Sequence, residues 1–193
     1  SMDCFMTIFT AAAGLSNPHL QTLVPRFIRK QALFSPQWQT LETPDGDFLD
    51  LAWSESPDGD GSNGDESNSD NLSNDNPSSD NLRSDNPSSD KLSNKPIFIL
   101  FHGLEGSFES PYANGLMNAF AKDGWLSVMM HFRGCSGKPN RLARAYHSGE
   151  VEDARFFLRH LHSRFPNNPK VAVGISLGGN MLANYLADYA DDP

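Results

Sequence analysis

The sequence predicts an α/β fold in which a mostly parallel sheet carries helices on both faces. Three short, largely apolar runs indicate strands, at Ile97–Phe101, Trp125–Phe132 and Val171–Ile175, and the first, which is continuously apolar, is typical of a strand buried on both faces. Each run is followed by a segment with apolar residues at helical spacing, at Pro111–Lys122, Glu150–Phe165 and Gly178–Tyr189. Because strand and helix alternate along the chain, the strands are expected to pair in parallel.

Two earlier segments predict a hairpin that precedes this alternating part. Trp38–Glu42 and Phe48–Trp53 alternate between apolar and polar residues, as half-buried strands do. Thr43–Asp47 lies between them and contains Pro, Asp and Gly, which favour a turn. Residues 1–53 are therefore assigned to an N-terminal segment and the first hairpin of the core.

The segment 54–95 differs from the rest of the chain in composition. It contains ten acidic and three basic residues and almost no apolar side chain. Within it, Ser69–Ser78 is repeated with small changes as Ser79–Ser88. Closely spaced Asp and Asn could bind calcium, but the glycine spacing of the known calcium loops is missing. The composition favours a disordered, solvated insertion, and residues 96–193 are assigned to the core that follows it.

The charge and the cysteines limit the classes of partner and compartment. The net charge is −9, of which the insertion carries −7, so no basic face is left to bind nucleic acid. Two cysteines make no disulfide framework, and no apolar run is long enough to be a transmembrane segment. We expect a cytoplasmic protein. The apolar stretch Cys4–Gly14 makes a signal peptide or peripheral membrane association the less favoured alternative, because Asp3 stands where basic residues usually precede it.

The sequence Gly174-Ile-Ser-Leu-Gly178 matches the pattern G-x-S-x-G between a predicted strand and a predicted helix. In that setting the two glycines permit a very tight turn, which lifts the Ser176 hydroxyl above the carboxyl edge of the sheet. The alternative is a glycine-rich turn without chemistry. The strand–turn–helix context favours a nucleophile elbow of an α/β-hydrolase fold, with Ser176 as the catalytic nucleophile.

The oxyanion donors are predicted from the loop after the first apolar strand. His102-Gly-Leu-Glu-Gly106 follows that strand directly, and in this fold such a loop supplies one backbone amide. The residue after the nucleophile supplies the other, so the predicted donors are the Leu104 and Leu177 amides. His102 is interpreted as a loop-shaping residue because the histidine base of this fold follows the nucleophile. Cys135, in a glycine-rich loop, is a second possible nucleophile, although packing in the loop is favoured.

The chain order of the triad is Ser, then Asp or Glu, then His. After Ser176 the sequence offers Asp188, Asp191 and Asp192 and no histidine. Asp188 falls on the helix after the elbow, too near the nucleophile in sequence. The triad Asp and His are therefore expected not to be in this chain, which is predicted to be an N-terminal part of the fold, incomplete at its C-terminus.

The six histidines show no metal-ligand spacing. His160 and His162 are two residues apart on a predicted helix and therefore face different directions. The other histidines lie in separate segments without a recognisable zinc pattern. We expect no metal site.

Together, several stretches of the sequence resemble the YheT-like family of α/β-hydrolases, which includes the ABHD1/ABHD3-type lipid esterases. The matching stretches are distributed along nearly the whole chain outside the insertion, which is not part of the family pattern. They are Asn17–Arg26, Leu100–Gly106, His131–Gly137, Tyr146–Gly149 and Gly174–Asn180. The resemblance implies a serine esterase without a cofactor, which acts on carboxylic esters of short acyl chains or on monoacylglycerols.

Three functional hypotheses follow. The leading one is a serine hydrolase of carboxylic esters, with a small-molecule ester or lipid as its substrate. The first alternative is a non-catalytic remnant or binding protein of the same fold, since the triad Asp and His are expected elsewhere. The second alternative is a thioesterase or acyltransferase that uses the same nucleophile. The sequence does not indicate an oligomeric state.

Overall fold

The computed structural model describes residue 17 and the ranges 32–58, 92–147, 149 and 151–192. The decapeptide repeat, and with it most of the predicted insertion, lies outside these residues. So does most of the segment before residue 32, including all but Asn17 of the family-like stretch 17–26.

The part of the chain that the structure describes contains eight elements, in the order that the sequence predicts. They are strand β1 (Gln37–Glu42), β2 (Phe48–Trp53), β3 (Ile97–Phe101), helix α1 (Pro111–Lys122), β4 (Leu126–Met130), α2 (Glu152–Arg164), β5 (Lys170–Gly174) and α3 (Leu177–Asp188). The predicted elements are confirmed, with ends displaced by a residue or two. Strand β4 is shorter than the predicted 125–132 because the Phe132 amide donates to the His102 side chain instead of to a neighbouring strand.

The strands form one mixed sheet in the order β1-β2-β4-β3-β5. The central strand β3 pairs in parallel with β4 and with β5, which places the carboxyl ends of all three at one edge. The hairpin β1–β2 joins the same sheet and pairs antiparallel to β4 through β2. The predicted parallel core is therefore extended on one side by an antiparallel pair.

Helices cover both faces of the sheet, as predicted. One face presents alternate residues of β3, among them Ile97 and Phe101, to Phe157 of α2 and Met181 of α3. The other face presents Phe98 and its neighbours to α1. All five residues of β3 are buried, which explains why this strand reads as a continuous apolar run. Among the described helices, none has the length and hydropathy needed to cross a membrane.

The two ends of the segment 54–95 pack against the core. The Ser54 amide donates to the Ser127 carbonyl at 2.9 Å, and Ser54 Oγ accepts from the Ser127 amide at 2.9 Å. At the other end Leu92 is buried. Asn168 Nδ2 donates to the carbonyl oxygens of Leu92 and Lys95 at 2.7 and 2.8 Å. The segment thus leaves and rejoins the core at the amino ends of β4 and β3.

Candidate active site

Ser176 lies in the turn between β5 and α3 and has backbone angles φ 52° and ψ −111°. A positive φ is rare for a residue with a side chain and costs roughly 1–3 kcal/mol, so it persists only where the surrounding structure enforces it. The Ser176 residue is exposed. The strand–turn–helix geometry is that of a nucleophile elbow.

The two flanking glycines are required by close packing. A Cβ atom at Gly174 would lie 2.4 Å from the Gly178 carbonyl oxygen. A Cβ atom at Gly178 would lie 2.5 Å from the carbonyl oxygen of Phe101 and 2.6 Å from that of His102. Helix α3 therefore begins directly against the end of β3, which is possible only without side chains at these two positions.

The same packing brings the loop after β3 beside the elbow. The Ile175 amide donates to the Phe101 carbonyl at 3.0 Å, which continues the β3–β5 pairing up to the turn. A Cβ atom at Gly103 would lie 3.5 Å from Ser176 Cβ. The structure thus places next to each other the two segments that the sequence predicts to hold the nucleophile and one oxyanion donor.

Hydrogen bonding in this loop leaves one amide without an acceptor. The Gly103 amide donates to Tyr112 Oη at 3.0 Å, and the Glu105 amide donates to Tyr146 Oη at 2.9 Å. Between them, the Leu104 amide has no acceptor among the described residues. The Leu177 amide likewise donates to no described residue. Both amides predicted as oxyanion donors are therefore available to bind an anion.

His102 lies at the end of β3 and is completely buried. Its Nδ1 donates to the Gly103 carbonyl at 2.7 Å, and its Nε2 accepts from the Phe132 amide at 3.0 Å. Burial lowers the pKa of the imidazole below its ordinary value. Both ring nitrogens are occupied in the neutral form, which supports the predicted loop-shaping role and not the role of a base.

His131 lies at the end of β4 and is the counterpart of His102. Its Nδ1 donates to the Asp50 carbonyl at 3.1 Å, and its Nε2 accepts from the Phe108 amide at 3.1 Å. Burial, together with the neighbouring His102, lowers its pKa to about 4. Each member of this histidine pair binds the loop that follows the other's strand. Sequence reasoning assigned no role to His131, although its position directly after a buried strand is the same as that of His102.

A second polar group, the arginine cluster, consists of the buried residues Arg133, Asp47 and Asp153 and the exposed residue Asp45. The guanidinium of Arg133 binds both carboxylate oxygens of Asp153 at 2.7 Å and lies 2.9 Å from Asp47 and from Asp45. The hydrogen bond to Asp153 is the largest contribution that raises the pKa of Arg133. The cluster fastens the turn of the β1–β2 hairpin to the start of α2. The sequence analysis missed it because Asp47 and Arg133 are 86 positions apart.

A cavity of about 740 Å³ opens between the loops after β3 and β4 and the segment that leads into β1. Phe34, Trp38, Phe108 and Tyr146 supply aromatic rings to its wall, and Cys135 lines it as well. Burial raises the pKa of the Cys135 thiol, and this effect outweighs the neighbouring Tyr146 hydroxyl, which acts in the opposite direction. A thiol held protonated is a poor nucleophile, so this environment favours the packing role of Cys135.

The carboxylates that follow Ser176 lie away from the elbow. Asp188 is the last residue of α3, about 16 Å along the helix from its first residue at 1.5 Å per residue. Asp192 is paired with Arg155 of α2, with 2.8 Å between Nε and Oδ2. Within the described residues, no group of three or more His, Cys, Asp or Glu side chains could hold a metal ion.

Comparison with known proteins agrees with this geometry. The family described as alpha/beta hydrolase fold matches residues 96–193, just over half of the chain. The chain therefore belongs to the α/β-hydrolase family.

Within that family, its sequence is 50% identical over 184 residues to the Escherichia coli (strain K12) protein named "Putative esterase YheT". That match covers 95% of this chain, so the predicted YheT-like resemblance is confirmed.

More distant relatives match about half of the chain. The human protein named "Phospholipase ABHD3" is 32% identical over 94 residues, which cover 49% of this chain and 23% of the relative. The Saccharomyces cerevisiae protein named "Monoacylglycerol lipase" is 30% identical over 98 residues, which cover 50% and 22%. The chain also spans only 45% of the Escherichia coli relative, less than half of its length.

Solved structures share the fold at low sequence identity. The Pyrococcus furiosus esterase Pf2001 superimposes with a TM-score of 0.53 at 17% identity, over 82% of this chain and 47% of that one. An α/β serine hydrolase homologue from Coxiella burnetii gives a TM-score of 0.52 at 16% identity, over 82% and 60%. These likenesses establish the α/β-hydrolase fold of the chain.

Proposed function

We propose that the protein is a serine hydrolase of carboxylic esters in which Ser176 is the nucleophile. The observation that carries this proposal is the elbow itself. Ser176 is held at a positive φ, exposed, beside two backbone amides that donate to no described residue. An ordinary glycine-rich turn gives no reason for a strained serine to lie next to a pair of unused donors.

In the proposed reaction, Ser176 Oγ attacks the ester carbonyl and forms a tetrahedral intermediate. The Leu104 and Leu177 amides bind its oxyanion, and each such donor typically contributes about 3 kcal/mol to transition-state stabilisation. The N-terminus of α3 adds a favourable field for negative charge at the same place. Collapse of the intermediate expels the alcohol and leaves an acyl-Ser176, which water hydrolyses in the second half of the reaction.

The base that activates Ser176 is not one of the two buried histidines. His102 and His131 are each fixed between a backbone carbonyl and a backbone amide, with no ring nitrogen left to accept the serine proton. In this fold the acid and the histidine follow the nucleophile. We therefore assign these roles to the part of the fold that the longer relatives have and that this chain does not span.

For the substrate we propose esters with an apolar acyl group, of the short-chain or monoacylglycerol type. The cavity with aromatic walls beside the loop after β3 supports an apolar substrate, because such sites bury most of a ligand against hydrophobic side chains. The name of the Saccharomyces cerevisiae relative supports the monoacylglycerol class.

The test is Ser176→Ala in a polypeptide that carries this chain and the remainder of the fold, to the length of its Escherichia coli relative. The parent should hydrolyse p-nitrophenyl esters and react with a fluorophosphonate probe, and Ser176→Ala should abolish both. Ser163→Ala, which changes an exposed serine of α2, is the matched control and should leave both unchanged. Probe labelling that persists in Ser176→Ala would place the nucleophile elsewhere, and Cys135→Ser would then be tested first.

A further inference from the structure

We propose that Tyr112 and Tyr146 are positioning residues that hold the Leu104 amide in the orientation that binds the oxyanion. The inference rests on the proposed function, because it concerns the same site. It is carried by a juxtaposition in the loop after β3, where the amides on both sides of Leu104 each donate to a tyrosine hydroxyl. We call these two tyrosines the tyrosine bracket.

The bracket fixes the loop from two separate elements. Tyr112 is the second residue of α1, and its hydroxyl accepts from the Gly103 amide at 3.0 Å. Tyr146 lies in the loop before α2, 41 positions from Glu105, and its hydroxyl accepts from the Glu105 amide at 2.9 Å. With both neighbouring peptides tied, the Leu104 peptide between them has little freedom to rotate.

Polar contacts hold this loop, because apolar packing does not. Leu104 is 70% exposed, so burial of its side chain contributes little to fixing the orientation of its amide. Glu105 has φ 50°, a conformation that residues with side chains rarely adopt and that relaxes unless it is held. The hydrogen bond from the Gly106 amide to the Gly103 carbonyl, at 2.9 Å, closes the turn around Leu104.

Each hydroxyl is itself placed by a specific neighbour. The Tyr146 ring stacks on Phe132, with 5.1 Å between ring centroids and 10° between the planes. Its hydroxyl also lies close to the Cys135 side chain, with which it lines the same cavity. When that hydroxyl proton points to the sulfur, a lone pair of the oxygen is left for the Glu105 amide. Cys135 is thereby an outer support of the bracket.

The hydroxyl of Tyr112 reaches the loop only because residue 106 is glycine. A Cβ atom at Gly106 would lie 2.6 Å from Tyr112 Oη, closer than real atoms approach. A side chain at this position would push the hydroxyl away from the Gly103 amide.

Neutral acceptors suit this position better than carboxylates. A carboxylate would accept the same two amide hydrogen bonds, but its charge would oppose the negative charge that develops on the substrate oxygen. Phenolic hydroxyls accept without bringing charge to the site at neutral pH. The bracket therefore orients an oxyanion donor without weakening it.

The experiment compares Tyr112→Phe and Tyr146→Phe in the polypeptide that carries the complete fold. Complete loss of an oxyanion donor typically lowers kcat by about 10²–10³, and a misoriented donor should lose part of that. We expect each variant to lower kcat by about 10- to 100-fold with KM within about twofold of the parent. The affinity for an alkylboronic acid, which forms a tetrahedral adduct with the serine, should fall by a similar factor.

The matched control is Tyr189→Phe, which removes a tyrosine hydroxyl that donates to Glu152 at the far end of α3. It should leave kcat, KM and boronic acid affinity unchanged. Two further variants disturb the hydroxyls without changing a tyrosine. Gly106→Ala should lower kcat as much as Tyr112→Phe, with no additional loss when the two are combined. Cys135→Ala should give a smaller fall in kcat, again without a change in KM.

Unchanged kcat in both Phe variants, with the parent active and Ser176→Ala inactive, would overturn the bracket while leaving the proposed function intact. A fall in kcat that is matched by a large fall in Tm, with no change in boronic acid affinity, would reduce the tyrosines to a structural role and would also overturn it. If either Phe variant fails to fold, the Gly106→Ala and Cys135→Ala kinetics decide the same point. Activity that survives Ser176→Ala would instead refute the proposed function.

Discussion

The arginine cluster and the histidine pair are two buried polar groups of opposite character. The arginine cluster is built of ions, one guanidinium and three carboxylates, between the β1–β2 turn and α2, and all of them except Asp45 are buried. The histidine pair is neutral, lies at the carboxyl edge of the sheet and binds only backbone groups. One group joins distant parts of the chain, and the other shapes the loops beside Ser176.

The difference shows where this fold tolerates charge. A buried ion must have several charged or hydrogen-bonding partners, and Arg133 has them only because three segments converge on it. A neutral imidazole needs one donor and one acceptor. The residues that follow β3 and β4 supply them to His102, and Asp50 of β2 and the loop after β3 supply them to His131. Buried charges are thus held in the arginine cluster, while the buried histidines that shape the loops beside Ser176 are neutral.

The largest expected effect comes from removing the cation of the arginine cluster. Arg133→Met keeps much of the side-chain volume but leaves Asp47 and Asp153 buried without a positive partner. Breaking a buried ion pair in this way typically costs about 3–5 kcal/mol, so we expect a loss of that size in the free energy of unfolding. Urea denaturation at pH 7 measures it.

The matched control for that change is Arg141→Met. Arg141 pairs with Glu42 on the surface, where both side chains are more than half exposed, so its loss should be far smaller. Equal losses in the two variants would mean that the arginine cluster is no stronger than a surface pair.

A change of pH should separate the two groups without any substitution. The pKa of His131 is about 4 in the folded protein, against an ordinary value of 6.5 that applies to the unfolded chain. Because the folded pKa is lowered, the stability is fully present above pH 6.5 and is lost as the pH falls to about 4. A shift of this size corresponds to about 3 kcal/mol.

The arginine cluster should respond at lower pH. The pKa of Asp45 lies below its ordinary 3.8, mainly through the hydrogen bond from Thr43, so this carboxylate loses its contribution to stability only under more acidic conditions.

Unfolding free energies of the parent and of His131→Gln, measured from pH 7.5 to 4, test the lowered pKa of His131. The difference between them should shrink as the pH falls, and a constant difference would contradict it.

Elements whose signal is local in sequence could be predicted, and the contacts that join distant segments could not. The apolar run Ile97–Phe101 and the G-x-S-x-G turn at Ser176 can each be recognised from about five consecutive residues. By contrast, Tyr146 meets Glu105 across 41 positions, and Arg133 meets Asp47 across 86. No pattern along the chain marks such partners, because sheet order and loop paths decide which side chains converge. The histidine pair lies between these cases, since each histidine follows a strand that could be recognised.

The smallest expected effect, and the sharpest comparison, uses two aspartates three positions apart. Asp47 and Asp50 are both buried, at 0% and 3% exposure. Asp47 belongs to the arginine cluster and accepts from Arg133, from Asn140 Nδ2 at 3.0 Å and from the Arg141 amide at 2.9 Å. Asp50 lies next to the histidine pair, where its Oδ1 accepts from Thr40 at 2.7 Å. Among the described residues, its Oδ2 accepts no hydrogen bond, and its charged partner is Lys138, whose Nζ lies 3.7 Å away on a side chain that is 63% exposed.

If burial alone set the energetics of these carboxylates, Asp47→Asn and Asp50→Asn would destabilise the protein equally. If charged partners set them, Asp47→Asn should cost about 2–3 kcal/mol, since an amide nitrogen would then face a guanidinium or a backbone amide as a second donor. Asp50→Asn should cost less than about 1 kcal/mol, because the amide keeps the acceptor for Thr40 and gives up only the long ion pair with the exposed Lys138 side chain. Urea denaturation of both variants at pH 7 measures the difference. Equal losses would show that the ionic partners of Asp47 add nothing beyond burial, and the contrast between the two groups would then fail.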